Sequence, residues 1–550
     1  MSLKKFANAE LCAGVLLVFC ALLFYYFAVL RIDYRKTTLL DLAPHPDATE
    51  YFAQAKALLR EGWPSIQIAA EKLPSRYPVG YPVLMLPWLK ILPAPHAVFA
   101  PFRTNQTIGL VFLLSVFAFY FYLEQPLTGG LAVLLIATLP GFFTFCRSSM
   151  SEISGSALVV LAFMFAYLGL KGERRWKIYL AAVFLGLSVD IRIQSLFLAP
   201  LLLAMALFPA RGMRLRWLVH CALIPVVFVL AASPVLVLNT IQFHSPFKTG
   251  YDFWMPFLGE RHLLFRIDYI PANAAALWRE FALRQNDFFA ANIFGTGTHF
   301  VPAFGLLIFA GLLFIRISPF FICAFLANLS LVAATLCYRY GADRRFYLPA
   351  LLILVAVAVL PVTWAAKNLL PIGGRTVAAL GIFILFAAAC LGYPSRSGYN
   401  TSSIRRCQSW DALNFADPRY RSIKFIAQRH FAKLLRGRPG IVLSDIDPAY
   451  LNALLPDSFI AAPIDGTHHY HWSTAWRYDP PQALALVERG LGQSLPVYAL
   501  FVSRDDMIAN QTRLPSLSGY HWRLIENTPG KAAILKLAPL RLRQTAPSPG

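Results

Sequence analysis

Apolar blocks close to 20 residues long recur along the first 393 positions, and they limit the possible folds more than any other feature. A helix needs about 20 apolar residues to cross roughly 30 Å of hydrocarbon, and only helices or closed barrels can do so with every backbone group paired. The blocks run 11–30, 106–123, 127–145, 153–170, 178–190, 193–208, 217–238, 301–316, 319–337, 346–365 and 376–393. The two short ones at 178–208 can also be read as one bent helix. The expected fold is mainly α, a polytopic membrane bundle of about 11 transmembrane helices. Composition agrees: 57% of residues are hydrophobic and 14% charged, against roughly 45–50% and about 25% in soluble domains.

Charge placement orients the bundle. With Lys4 and Lys5 cytoplasmic, the cytoplasmic connections fall at 124–126, 171–177, 209–216, near 316 and 366–375. They carry Lys171, Arg174, Arg175, Lys177, Arg211, Arg214, Arg216, Arg316, Lys367 and Arg375, against Glu124 and Glu173. That is the bias the positive-inside rule asks of short loops, and one miscounted helix would scramble it. Block 11–30 is longer than a signal-peptide core and lacks a small-x-small cleavage site, so it reads as a helix. The net charge of +22 does not imply nucleic acid. Many of the Lys and Arg residues flank apolar blocks, and none form a basic helix or a run interleaved with aromatics. Membrane lipids are the expected contacts.

Three segments then lie outside: loop 31–105, loop 239–300 and the tail 394–550. In the tail, Ile441-Val442-Leu443 and Val497 through Val502 read as buried strands, and 411–435 and 481–490 as helices. The expected organisation is a membrane domain over 1–393 and a soluble periplasmic α/β domain over 394–550. Of the eight cysteines, only Cys407 belongs to the tail. No disulfide framework and no Cys-x-x-Cys metal knuckle is implied.

The chemistry-bearing residues collect on the outer loops. The segment from Ala43 through His45 and Asp47 to Gly62 reads as a short amphipathic helix on the membrane surface, carrying Tyr51 and ended by Gly62. Asp47 followed three residues later by Glu50 is a capping-box-like helix start. The other reading of Asp47 is a general base held at the membrane face. Ser75-Arg76-Tyr77-Pro78-Val79-Gly80-Tyr81-Pro82 makes a rigid irregular turn in which the Arg76 guanidinium suits a phosphate. Arg147 and Glu152 sit at the outer end of the third block. There Glu152 is either a charge favoured by the next helix dipole or a functional carboxylate. Asp190 and Arg192 share that level and either neutralise each other or hold a ligand. Tyr338 through Pro349 places Arg339, Arg344 and Arg345, with Tyr347, on the side where the positive-inside rule does not call for Arg. In the tail, Asp445-Ile446-Asp447 reads as a turn after a strand, and His468-His469-Tyr470-His471 lacks a spaced metal partner.

The order of these pieces resembles the GT-C glycosyltransferases, specifically bacterial relatives of protein O-mannosyltransferases and of lipid A aminoarabinose transferase. The matching pieces are Asp47-x-x-x-Tyr51, Arg76 through Pro82, Ser151-Glu152 before a helix, Asn239 through Tyr251, and Arg345-Phe346-Tyr347-Leu348-Pro349. They cover roughly 1–393, with a tail typical of the group. The resemblance implies an enzyme of the inner (plasma) membrane of a bacterium, with a cytoplasmic N-terminus and a periplasmic tail. Its partners would be a polyprenyl-phosphate-linked sugar and a glycan, lipid or protein acceptor. Its reaction would be an inverting displacement at the anomeric carbon. Asp47 would be the base, Arg76 would hold the donor phosphate with Arg345, and Glu152 would orient sugar or acceptor hydroxyls. His45, Tyr51, Tyr81, Arg147, Arg192 and Tyr347 would line the substrate. Where some relatives carry an acidic pair, Asp47 is followed here by Ala48, so the motif argues against dependence on a divalent metal while leaving one possible. A transporter or flippase of lipid-linked glycans is the rival class. It predicts mid-helix charges, broken helices and two related halves, and no convincing repeat is visible.

Overall fold

The computed structural model describes residues 3–30, 46–171, 176–207, 214–281, 300–315, 317–391, 431, 438–444, 451–452, 458–464, 480–501, 503–528 and 532–540. Each apolar block corresponds to helix in the described residues, but several are broken where proline removes a backbone donor. The block at 127–145 divides into Pro126–Thr138 and Pro140–Cys146. That at 217–238 divides into Arg214–Ala231 and Ser233–Phe243, with Pro234 in the first turn of the second piece. The pair at 178–208 is not one bent helix. Trp176–Ile191 ends at the extended residue Arg192, followed by a 3-10 turn, Ile193–Leu198, and the short helix Pro200–Leu207.

Four of the described helices are long and apolar enough to cross a membrane: Ala97–Tyr122, Glu152–Lys171, Phe320–Cys337 and Arg345–Leu369. A fifth crossing arises if Leu218–Ala231 and Ser233–Phe243, bent by 55°, count as one span. Ala9–Tyr25, Pro126–Thr138, Ile193–Leu203 and Gly373–Ile384 are apolar but shorter. The chain is thus a mainly helical, multi-pass membrane protein with a sheet domain near its C-terminus.

It divides into two compact units. The first comprises Met1–Thr37, Pro78–Lys248 and Leu258–Asn414, and the second Thr38–Tyr77, Thr249–Phe257 and Phe415–Gly550.

In the first unit the helices meet through small residues. A Cβ at Gly14 would fall 2.3 Å from the Pro126 carbonyl oxygen, and one at Gly130 would fall 2.5 Å from that of Gly14. Such close backbone approach is how helices associate where lipid removes the hydrophobic drive. Charged side chains tie several helix ends together. Glu10 pairs with Arg375 at 2.8 Å and Lys367 at 3.4 Å, and Lys177 reaches the Tyr122 hydroxyl at 3.0 Å. These residues border or lie in the loops read as cytoplasmic. Asn105, Ser148, Glu152, Arg192 and Arg345 meet in a separate cluster.

The second unit is built on a five-stranded sheet: β3 (Gly440–Ser444), β4 (Phe459–Pro463), β5 (Val497–Phe501), β6 (Tyr520–Thr528) and β7 (Ala532–Pro539). Their order is β4-β3-β5-β7-β6, with β3 parallel to β4 and β5, and β7 antiparallel to its neighbours. The two strands expected from the sequence are β3 and β5, every residue of which is buried. Continuous apolar runs are what parallel strands covered on both faces require. The expected helix is Pro480–Gly492, burying Ala483, Leu486, Val487 and Gly490 at helical spacing. The first outer loop joins this unit. Its helix Pro46–Glu61 packs on a hairpin of β1 (Ile66–Ile68) and β2 (Glu71–Leu73), and the Ala69 N–H donates to the Ala461 carbonyl at 3.0 Å. The helix expected at 411–435 lies outside the described residues apart from Phe431.

Candidate functional site

Two clusters of buried charge, one in each unit, contain most of the expected site residues. The first rests on the helix Pro46–Glu61, which ends as expected at Gly62. With φ of +72°, that glycine takes the left-handed conformation, and its N–H reaches the Leu58 carbonyl at 3.0 Å. Asp47, Glu50, Tyr51 and Gln54 recur at helical spacing and share one face, which turns toward Ser75-Arg76-Tyr77. Asp47 Oδ1 accepts the Tyr77 hydroxyl at 2.5 Å, and the Tyr51 and Tyr77 rings lie 5.0 Å apart.

Glu50 does not act as the capping-box partner that the local pattern suggests. The helix begins at Pro46, and the Glu50 side chain, fully buried, turns to the segment 75–76. Its Oε2 accepts from Ser75 Oγ at 2.8 Å and from the Arg76 N–H at 2.9 Å. Its Oε1 accepts from Arg76 Nε at 2.7 Å and also from Nη2. A carboxylate without water is stable only with a cation and enough donors, and Arg76 supplies both. Their separation of 26 residues hides the pair from any local reading.

Tyr77 is the second residue whose role local patterns missed. Burial pushes its hydroxyl well above the usual tyrosine range, so it remains a proton donor to Asp47. Its ring is approached by Tyr251 at 5.9 Å. Tyr251 belongs to the short helix Gly250–Trp254, started by a capping box between Thr249 and Asp252. Gly250 is needed there, because a Cβ would lie 2.1 Å from the Ser75 carbonyl oxygen. Trp254 Nε1 donates to the Pro74 carbonyl at 2.8 Å.

The cluster in the first unit centres on Glu152, which opens the helix Glu152–Lys171 and is 1% exposed. Arg192 Nη1 meets Glu152 Oε1 at 2.6 Å, and Arg345 Nη1 approaches the same oxygen at 3.7 Å. Both guanidiniums also lie over the Phe346 ring, at 5.4 and 5.0 Å from its centroid. Arg192 further donates to Ser151 Oγ at 3.2 Å and to Gln194 Oε1 at 3.3 Å. Two buried atoms of this group, Glu152 Oε2 and Gln194 Nε2, have no hydrogen-bond partner among the described residues. One is an acceptor and the other a donor, and both side chains are held by Arg192.

Asn105, fully buried, fixes the turn leading into Glu152. Its Nδ2 donates to the carbonyls of Ser148 at 2.8 Å and Met150 at 2.6 Å, and Ser154 Oγ donates to its Oδ1 at 3.2 Å. Arg147 is buried in the same turn. Asp190 and Arg192 do not neutralise each other. Asp190 Oδ1 accepts the Val235 N–H at 3.0 Å, in the first turn of Ser233–Phe243, while Arg192 turns to Glu152. Asn105 and Gln194 carried no sequence signal beyond being polar at the ends of apolar blocks.

Tyr81 and Tyr347, expected among the substrate contacts, direct their hydroxyls to the carbonyls of Pro101 at 3.2 Å and Gly341 at 3.1 Å. His45, Asp445, Asp447 and His468 through His471 lie outside the described residues. Among the described residues, no group of three or more His, Cys, Asp or Glu side chains is placed to hold a metal.

These helices, loops and sheet make a fold that solved structures share. ArnT from Cupriavidus metallidurans bound to undecaprenyl phosphate matches with a TM-score of 0.59 and 14% identity, over 95% of this chain and 97% of that one. Its apo structure matches over the same shares with a TM-score of 0.58. The oligosaccharyltransferase of Archaeoglobus fulgidus, tethered with an acceptor peptide, matches with a TM-score of 0.45 and 15% identity, over 96% of this chain and 74% of that one. No family model and no curated protein matches the sequence.

The Glu50–Arg76 pair makes a stability prediction. Arg76→Met leaves a buried carboxylate without its cation and should cost about 3–5 kcal/mol. The double variant Glu50→Leu/Arg76→Met should recover much of that loss. Thermal melts of the three purified proteins in one detergent decide it. A double variant less stable than Arg76→Met would contradict the pairing.

Proposed function

We propose that this chain transfers a sugar from a polyprenyl-phosphate donor to a hydroxyl or amine acceptor by one inverting displacement, with Asp47 as general base. The observation that carries this reading is the fold, shared almost end to end with an ArnT structure bound to undecaprenyl phosphate. The acceptor is a cell-envelope glycan, a lipid or a protein. The proposed setting is a bacterial inner membrane, with the N-terminus cytoplasmic and the second unit periplasmic. Charge parity supports that orientation.

In the reaction, Asp47 removes the acceptor proton as the acceptor oxygen or nitrogen attacks the anomeric carbon. The bond from that carbon to the phosphate oxygen breaks, and polyprenyl phosphate leaves with the electron pair. Tyr77, donating to Asp47, orients the carboxylate. We assign the phosphate to Arg345 and Arg192. Supporting this, the two guanidiniums lie side by side over the Phe346 ring and meet one oxygen of Glu152, a pairing of forked donors that suits a leaving phosphate. Arg76, whose Nε and Nη2 meet Glu50, is assigned to holding Tyr77 in place. Glu152 Oε2 and Gln194 Nε2 are assigned to a sugar hydroxyl, which both donates and accepts. The solved structures that share the fold give a flippase no support.

The direct test is sugar release in proteoliposomes from a panel of polyprenyl-phosphate sugars. Asp47→Asn should keep donor binding and lose roughly 10²–10⁴-fold in turnover. A variant as fast as wild type would remove Asp47 from the mechanism.

Tyr77→Phe probes the same carboxylate through its orientation. Without the hydrogen bond that fixes Asp47, kcat should fall by roughly tenfold while donor binding is kept. A variant that turns over as fast as wild type would contradict this role.

A further inference from the structure

The helix that carries Asp47 has a second working face. Ala53, Lys56, Ala57 and Arg60 share helical spacing, turned by about 120° from the face of Asp47 and Glu50. This face forms one wall of a shallow cleft in the second unit. The opposite wall is the hairpin, where Gln67 and Lys72 are cross-strand partners and so lie side by side. Ser65 lines the entry to the hairpin, and Asn452 and Phe459 complete the lining.

The cleft is rigid and basic. Asn452 Nδ2 donates to the carbonyls of Gln67 at 2.8 Å and Ala461 at 3.0 Å, while its Oδ1 accepts the Ala461 N–H at 2.8 Å. That clamp ties the hairpin to β4. Glu61 meets Lys72 Nζ at 2.6 Å and Arg60 Nε at 2.9 Å, which brings those two cations to one carboxylate. Lys72 and Arg60 hold the Glu61 carboxyl below its usual range. Lys56 lies one helical turn before Arg60. Three cations, an amide and a hydroxyl therefore converge where the acidic neighbours are Glu61 at the rim and Glu71 on the hairpin.

We propose that this cleft is a phosphate-binding site, and that the phosphate it takes is carried by the acceptor. The second clause rests on the glycosyl-transfer reading and the first does not. Lys56, Arg60 and Lys72 supply charge, and Ser65 and Gln67 supply neutral donors, as phosphate oxygens require. Placing an acceptor's phosphate on the helix that bears the proposed base would align the acceptor relative to Asp47 through one rigid element.

The test is lysine footprinting on the full-length wild-type protein in nanodiscs of zwitterionic lipid, read by mass spectrometry after brief acylation. Inorganic phosphate, glucose 6-phosphate and nanodiscs containing phosphatidylglycerol are compared. Lys536, exposed on β7 of the same unit, is the internal control. A phosphate probe should slow acylation of Lys56 and Lys72 but not of Lys536. Protection should fade as salt rises, because partly exposed charges are screened over about 10 Å at 0.1 M. Stronger protection by glucose 6-phosphate supports a carried phosphate. Equal protection by inorganic phosphate would overturn the acceptor clause, as would protection by phosphatidylglycerol alone, which points to a headgroup. In a companion titration, Lys56→Gln/Lys72→Gln should weaken glucose 6-phosphate binding by about tenfold or more. Absence of protection by every probe would overturn the site itself. None of these readouts depends on turnover, so this site and the glycosyl-transfer reading can fail separately.

Discussion

A carboxylate removed from water must find a cation, and both candidate clusters are organised by that requirement. Glu50 draws in Arg76 and, with it, the segment that carries Tyr77. Glu152 draws in Arg192, and Arg345 approaches the same oxygen. Desolvation of each carboxylate is offset only if the donors arrive in good geometry, so each pair fixes backbone far apart in sequence. The first pair ties the first outer loop together. The second joins the start of one apolar helix to the extended residue that breaks the next pair of blocks and to the turn before a later one.

This explains which parts of the molecule were legible in the sequence. Apolar blocks report directly on helices, because burial in lipid is a property of each segment by itself. β3 and β5 were legible for the same reason, being continuous apolar runs. β4, β6 and β7 were not singled out: β4 runs into a proline, and β6 is an exposed edge strand with polar residues along it. The number of crossings was harder to read, because Pro140, Pro200 and Pro234 break blocks that hydropathy alone joins.

At the candidate sites, residue types were legible but their pairings were not. Asp47, Arg76, Glu152, Arg192 and Arg345 were visible as charges at the outer ends of apolar blocks. The pairs Glu50–Arg76 and Glu152–Arg192 are separated by 26 and 40 residues, beyond the reach of a capping box or a helical period. Hence Glu50 looked like a cap and Asp190 looked like the partner of Arg192. Gln194 is more instructive still. Only the hydrogen bond from Arg192 to its Oε1 leaves the amide nitrogen as the group on offer.

The proposed reaction is a single displacement by an acceptor that Asp47 deprotonates, and the anomeric configuration of the product reports on it. A donor of known configuration, labelled with ¹³C at the anomeric carbon, would be turned over in proteoliposomes and the product read by NMR. A single displacement gives the opposite configuration from that of the donor. A product that keeps the donor's configuration would require a second displacement, and would contradict the role given to Asp47.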